Sequence, residues 1–208
     1  MAQETDSMMK NNNHPGRYDS VWSAAEPYMR ARKNDVHIPL SFECAQQLLG
    51  VYPEADRDIC SLAILLHDIG WYSIDMGRIL SEGFSGENFL QSDVRYLHES
   101  EGVRMATEVL QRTGWSEDII ESVCEIIDGH DTRPDPRHLN DRVVRDADKL
   151  WRYSVPGIAV ICDWMKMTPR QYADRLENQY QKLETDHGRQ MAKDQLAQTR
   201  IALKLHLI

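Results

Sequence analysis

No stretch of the chain approaches the roughly 20 consecutive apolar residues that a membrane-spanning helix requires, so no helical membrane span is expected. Cysteine is scarce. The four present, Cys44, Cys60, Cys124 and Cys162, lie far apart inside apolar helical patterns and form no CxxC. Such spacing supplies neither a thiolate zinc knot nor a disulfide framework, and buried free thiols in a reducing compartment are the expected state. Positive charge is also in deficit, with 24 Lys and Arg against 33 Asp and Glu and a formal net charge of -9. A broad nucleic-acid surface needs the opposite sign. A small phosphorylated molecule held by a local basic patch remains compatible. Strand-like alternation and tandem repeats are missing as well, which removes sheets and solenoids from consideration.

What is there suits one globular domain: 208 residues, 41% hydrophobic and 27% charged, are enough for a sizeable core. Met1 to Gly16 is polar and Asn-rich with no apolar centre, so it reads as a disordered tail rather than a signal peptide. Residues 17–208 then form a single helical domain, expected in the cytoplasm. The strongest feature is Ile59 to Gly70, an apolar run that leads straight into His67-Asp68. Burying an imidazole and a carboxylate at the end of such a run is costly unless a hydrogen-bonded pair or a metal ion compensates. The doublet alone does not choose between the two.

Helical segments follow from punctuation. Tyr18 to Lys33 is broken at Pro27, and Pro39 suits the first turn of a helix ending at Gly50. Pro53 opens the helix that carries Ile59, Leu62, Ala63 and Leu66 on a buried face. Trp71 to Asp93, with Gly77, Gly83 and Gly86 among polar residues, reads as a long excursion and a candidate lid, with Trp71, Tyr72, Phe84 and Phe89 as pocket aromatics. His98 opens a helix ending at Gly114, in which Gly102 would let another backbone approach. Ser116 caps a helix that delivers His130, and Asn140 caps another from Asp141 to Tyr153. Pro156 starts an apolar helix, and Thr168-Pro169-Arg170-Gln171 is a capping-box start. Two charged helices, one to about Asp186 and one from Gly188, brace the bundle or form a homodimer contact.

His37, His67, His98 and His130 are separated by 30, 31 and 32 residues, and Asp146 follows His130 by 16. Each step is about two helices with their turns. Side chains spaced this way can return to one place in a bundle, and six ligands are too many for a closed tetrahedral zinc. The ordered set His37, His67-Asp68, Asp146, with His98 and His130 between, resembles the HD-domain metalloproteins. So do the words Arg-Lys-Asn-Asp-Val-His, Ile-Ile-Asp-Gly-His-Asp and Asp-Ala-Asp-Lys-Leu. The resemblance covers roughly Val21 to Ile161 and implies an all-α, HD-domain-like helical bundle with a metal site in its core.

It further implies that His37, His67, Asp68 and Asp146 hold one divalent ion, and that Asp68 bridges to a second held by His98 and His130. Imidazole and carboxylate ligands suit Fe or Mn first, with Zn, Ni or Mg as alternatives. A paired-ion site fits hydrolysis of a nucleotide or other small phosphoester. Asp68 and Lys149 are the expected catalytic groups, and Arg32, Lys33, Arg142 and Lys149 the expected phosphate clamps. Arg142 and Lys149 share a helical face with Asp146, whereas Arg145 and Arg152 each follow an Asp by four and read as surface pairs. A branch of the same family uses six ligands for a mixed-valent di-iron oxygenase acting on a small polar substrate, where Glu26 or Tyr28 would approach the metal. A ligand-binding module without turnover is the remaining alternative.

Overall fold

The apolar run from Ile59 becomes a helix with hardly a polar face, and the domain is laid around it. A computed structural model of the protein describes residues 16–82 and 92–206. Among the described residues there are ten α-helices and no strand: α1 Asp19–Ala25, α2 Asn34–Val51, α3 Arg57–Leu66, α4 Met76–Glu82, α5 Val94–Arg112, α6 Glu117–Ile127, α7 Leu139–Leu150, α8 Val155–Met165, α9 Pro169–Leu176 and α10 Asp186–Lys204. Every residue of α3 from Cys60 to Leu66 is inaccessible to solvent. A helix apolar all round belongs in the middle of a bundle, and α3 packs against α2, α6 and α7.

Both ends of α3 are pinned. The Asp56 carboxylate accepts from Ile59 N at 3.0 Å, a normal N-cap. Asp56 N donates in turn to Asn140 Oδ1 at 2.9 Å, which ties the start of α3 to the start of α7. Asn140 is therefore not the cap of α7. That position belongs to His138, whose Nδ1 accepts from Asp141 N at 3.2 Å. At the other end α3 stops at Leu66 and a 3-10 turn, Ile69–Ser73, follows Asp68. Asn34, the first residue of α2, donates from Nδ2 to Asp68 O at 3.0 Å and locks this junction.

Gly70 and Gly102 explain how α5 lies so close to that turn. A Cβ on Gly70 would sit 2.0 Å from His98 O and 2.4 Å from Gly102 N. The close approach expected of Gly102 is thus made by the backbone that carries the His-Asp doublet.

Several expectations need correction. Pro39 lies in the sixth position of α2 rather than its first turn, removing one backbone hydrogen bond while the helix continues through Gly50 to Val51. Part of the excursion after Trp71 is α4, so it is not a continuous loop. The rest of the candidate lid, residues 83–91 with Phe84 and Phe89, lies outside the described residues, as do residues 1–15 of the expected tail. Ser116 occupies the N-cap of α6 but makes no capping bond. The capping box of Thr168 and Gln171 is present, and α9 ends at Leu176, well short of Asp186. All four cysteines are free, with Cys44, Cys60 and Cys162 buried. None of the described helices is long and apolar enough to cross a membrane.

Candidate metal centre

Four helices aim their ends at one place. His37 comes from the first turns of α2, and His67-Asp68 from the exit of α3. His98 comes from α5, and His130 from the turn after α6, where Gly129 takes a positive φ of 94° to reverse the chain. All five are buried, none more than 4% exposed.

Each histidine beyond His37 is oriented by its own backbone. His67 Nδ1 lies 2.8 Å from Ile64 O, His130 Nδ1 2.9 Å from Ile127 O, and His98 Nδ1 3.3 Å from Val94 O. A carbonyl accepts only, so the ring proton sits on Nδ1 in each, and the Nε2 lone pair faces the centre. This is how metal-binding imidazoles are held. The consequence is an arrangement that protein atoms alone satisfy poorly. His98 Nε2 and His130 Nε2 meet at 3.5 Å. His67 Nε2 is buried without a hydrogen-bond partner and lies 3.3 Å from Asp148 Oδ1. Lone pairs converging on lone pairs call for cations between them.

Asp68 spans the cluster. Its Oδ2 is 3.2 Å from His37 Nδ1 and 3.8 Å from His67 Nε2. Its Oδ1 is 3.7 Å from His98 Nε2 and 3.6 Å from His130 Nε2. One oxygen therefore faces each pair of rings. Trp71 fixes the rotamer: its Nε1 donates to Asp68 Oδ1 at 2.9 Å, and its ring stacks on His98 with centroids 4.2 Å apart.

The distant acid is Asp148, not Asp146. Asp148 Oδ1 lies 3.0 Å from His37 Nε2, and it forms a trio with His37 and His67 whose ligand atoms are within 4.8 Å of one another. Asp146 points the other way. Its carboxylate accepts from Glu184 N at 2.7 Å, Thr185 N at 2.8 Å and Thr185 Oγ1 at 2.7 Å. It thereby anchors the segment that caps α10. The reason is helical phase: two residues at 100° each put the side chains on opposite faces of α7. A further trio, His98, His130 and Asp131, brings in an acid that was not anticipated from the sequence.

Electrostatics follow the geometry. Burial opposes ionisation of Asp68, but His67, His130, His37 and Arg32 hold its carboxyl well below the usual range. Asp148 is likewise held well below, against burial, by His37, His67 and Arg152. Asp146, by contrast, is raised by burial despite its hydrogen bonds. Burial and the neighbouring His130 push His98 down to about 3. His130 is itself carried up to about 10, against burial, by Asp68 and Asp131.

A cleft of about 380 Å³ opens over His37, Asp68 and Asp148. Arg32, Arg95, Lys149, Arg152 and Arg175 line it, with Trp164 and Tyr172 on an apolar wall. Of the expected phosphate clamps, Arg32 and Lys149 are in this lining, while Lys33 and Arg142 are exposed and outside it. Arg32 lies 3.9 Å over the Trp71 ring and takes a φ of 52°. A non-glycine residue in that region stores about 1–3 kcal/mol, typical of functional positions. Along α7 and the turn after it, Lys149 lines the cleft but Arg142 does not, and Arg152, read as a surface pair, lines it as well. Arg152 sits 3.5 Å from Asp148 Oδ2, and Arg145 is buried and donates to Arg133 O at 2.7 Å. Glu26 is exposed and Tyr28 packs edge-on against Tyr72, so neither lines the cleft.

The family model for the HD domain matches residues 39–152, more than half of the chain. The chain belongs to the HD-domain family. No curated protein and no solved structure matches it. HD domains bind divalent metals, and the buried His and Asp groups of this HD domain fit such a site. His37 falls two residues ahead of the matched range, yet it is geometrically part of the same cluster.

Proposed function

We propose that the protein is a metal-dependent phosphohydrolase acting on a nucleotide or another small phosphoester. The supporting observation is the cleft, where Arg32, Arg95, Lys149, Arg152 and Arg175 surround a floor of His37, Asp68 and Asp148. A dianionic phosphoryl group is the ligand such a ring of cations prefers, and Arg forks match its oxygens. In this reading His37, His67, Asp68 and Asp148 hold one divalent ion, Fe or Mn by ligand type. His98 and His130, with Asp68 shared, hold another. When bound, the pair supplies a water of lowered pKa and neutralises charge on the phosphoryl oxygens.

The chain's own residues do the rest. Arg152, oriented by Asp148, and Lys149 orient the phosphoryl group over the floor. Arg32, stacked on Trp71, adds a further guanidinium to the lining. Burial lowers the Arg32 guanidinium to about 10, opposed by Asp68, so it stays charged at neutral pH. Trp164 and Tyr172 exclude water from one side and offer a surface to the leaving group.

The test is phosphate release from p-nitrophenyl phosphate and a nucleoside monophosphate panel by Mn-loaded or Fe-loaded protein. Release that falls in Arg152→Met through a raised KM, and is unchanged in Lys33→Ala and Arg142→Ala, supports the reading. Oxygen consumption with a mixed-valent di-iron EPR signal, and no phosphate release, overturns it in favour of an oxygenase. Full metal loading without any turnover overturns it in favour of a binding module.

A further inference from the structure

Asp131 stands outside the set of six that the family resemblance supplies, yet its carboxylate reaches the cluster. Its Oδ2 is 3.9 Å from His98 Nε2, and Asp131, His98 and His130 each offer a ligand atom within 4.8 Å of the others. A loop acid at such a place would mean little if the loop were free to swing. This one is clamped. Glu99, next to His98 and 2% exposed, accepts from Asp131 N at 2.8 Å, Thr132 N at 3.0 Å and Thr132 Oγ1 at 2.6 Å. Arg95 donates to Asp131 O, and Arg145 donates to Arg133 O. Arg133 in turn pairs with Asp141, a fully buried carboxylate at the start of α7. A buried glutamate satisfied by the backbone of a single loop is a positioning device, of the kind that orients ligands around metals.

We propose that Asp131 is a protein ligand of the second ion, which would then be held by Asp68, His98, His130 and Asp131, with Glu99 as the residue that positions Asp131. The proposal rests on the reading that the centre takes two divalent ions. It changes the chemistry expected of the second site. Two imidazoles and one shared carboxylate oxygen are a nitrogen-rich set suited to Zn or Ni, whereas a further carboxylate moves the balance toward Mn or Fe. It also equalises the two positions, each with two imidazoles, the shared Asp68 and one acid of its own. Three carboxylates against two divalent ions leave a small net positive charge, which favours an anionic substrate without trapping it.

The experiment is Mn(II) titration of the full chain, followed by calorimetry and by EPR of the free ion, with thermal denaturation of each apo variant as a folding control. Wild-type protein is expected to bind two ions. Asp131→Asn is expected to keep the first with unchanged affinity and to lose the second by more than about 10-fold. Asp131→Glu, which keeps the carboxylate, is expected to recover part of that loss. Glu99→Gln is expected to weaken the second ion alone. Two ions bound with unchanged affinity in Asp131→Asn overturn the proposal and leave the two-ion reading intact. Equal weakening in Asp131→Asn and Asp131→Glu, or equal loss of both ions, overturns it too. A wild-type stoichiometry of one or none overturns the two-ion reading itself.

Discussion

Asp146 and Asp148 are two residues apart in α7, and replacing each by alanine should break different things. Asp146→Ala removes the acceptor of two backbone N–H groups, Glu184 N and Thr185 N, and of the Thr185 hydroxyl. The hydroxyl can rotate to another acceptor. The amides cannot, and Thr185 is buried. A stranded buried N–H costs about 1–3 kcal/mol, so the two together give a loss of about 2–6 kcal/mol, toward the lower end because the Glu184 amide is only part-buried. For a domain of this size each kcal/mol moves the melting temperature by about 2–4 °C, so a fall on the order of 10 °C is expected in apo protein. Metal binding should survive at temperatures where the variant is folded. Asp148→Ala inverts the pattern. Its loss strands no backbone N–H, although it takes a carboxylate partner from His37, His67 and Arg152, and its distinguishing mark is that affinity for the first ion falls by at least 10-fold. Paired differential scanning calorimetry and Mn(II) titration on both variants give the answer. Loss of an ion in Asp146→Ala with stability unchanged, or full metal binding in Asp148→Ala, would refute the phase assigned to α7 and everything built on it.

Other perturbations probe the surroundings. Gly70→Ala places a methyl group 2.0 Å from His98 O, which cannot be relieved by moving a side chain. A destabilisation above the usual 1–3 kcal/mol of overpacking is expected in urea denaturation, together with weakened metal binding, because Asp68 and His98 must separate. Arg17 and Tyr18 hold the Asp58 carboxyl below its ordinary value, against partial burial. A depressed acid stabilises above its unfolded pKa of about 3.9 and loses that contribution as pH falls through the folded value. The stability gap between wild type and Asp58→Asn, at most about 1 kcal/mol at neutral pH, should therefore close below about pH 4. Burial pushes Cys44 up to about 11 and Cys60 higher still. Neither should react with DTNB at pH 8 until the protein is unfolded in urea.

The helices were legible where their ends carry their own chemistry. Thr168 and Gln171 close a capping box through local hydrogen bonds, and the expectation at that point needs nothing from the rest of the fold. Asn140 failed because two polar residues compete for one end. His138 caps α7, and the Asn140 side chain is drawn to Asp56 N on α3, a contact between residues far apart in sequence. The central position of α3 was legible because its run is apolar all round. The helix α4 was not, since seven residues with Gly77 inside and Gly83 just after carry no periodic signal strong enough to name it.

The same distinction runs through the site. The four histidines and Asp68 could be found because each ends or opens a helical pattern at a regular interval. That interval says which helices meet, but nothing about their rotation. Val143, Val144, Ala147 and Leu150 form one buried stripe along α7, and Asp146 and Asp148 lie on its two opposite edges, so the apolar pattern does not say which acid faces the cluster. The pairing of Asp148 with Arg152 four residues later looks like any solvated pair when written as sequence; only the packing of α7 against α2 turns it into the wall of a cleft. Asp131 is further from reach. Its direction is set by Glu99, 32 residues away on α5, and no local pattern encodes that clamp. The residues that the sequence reading missed are thus the ones whose aim depends on a second helix, and their roles stand or fall with the rotation of α7 and the hold of Glu99 on its loop.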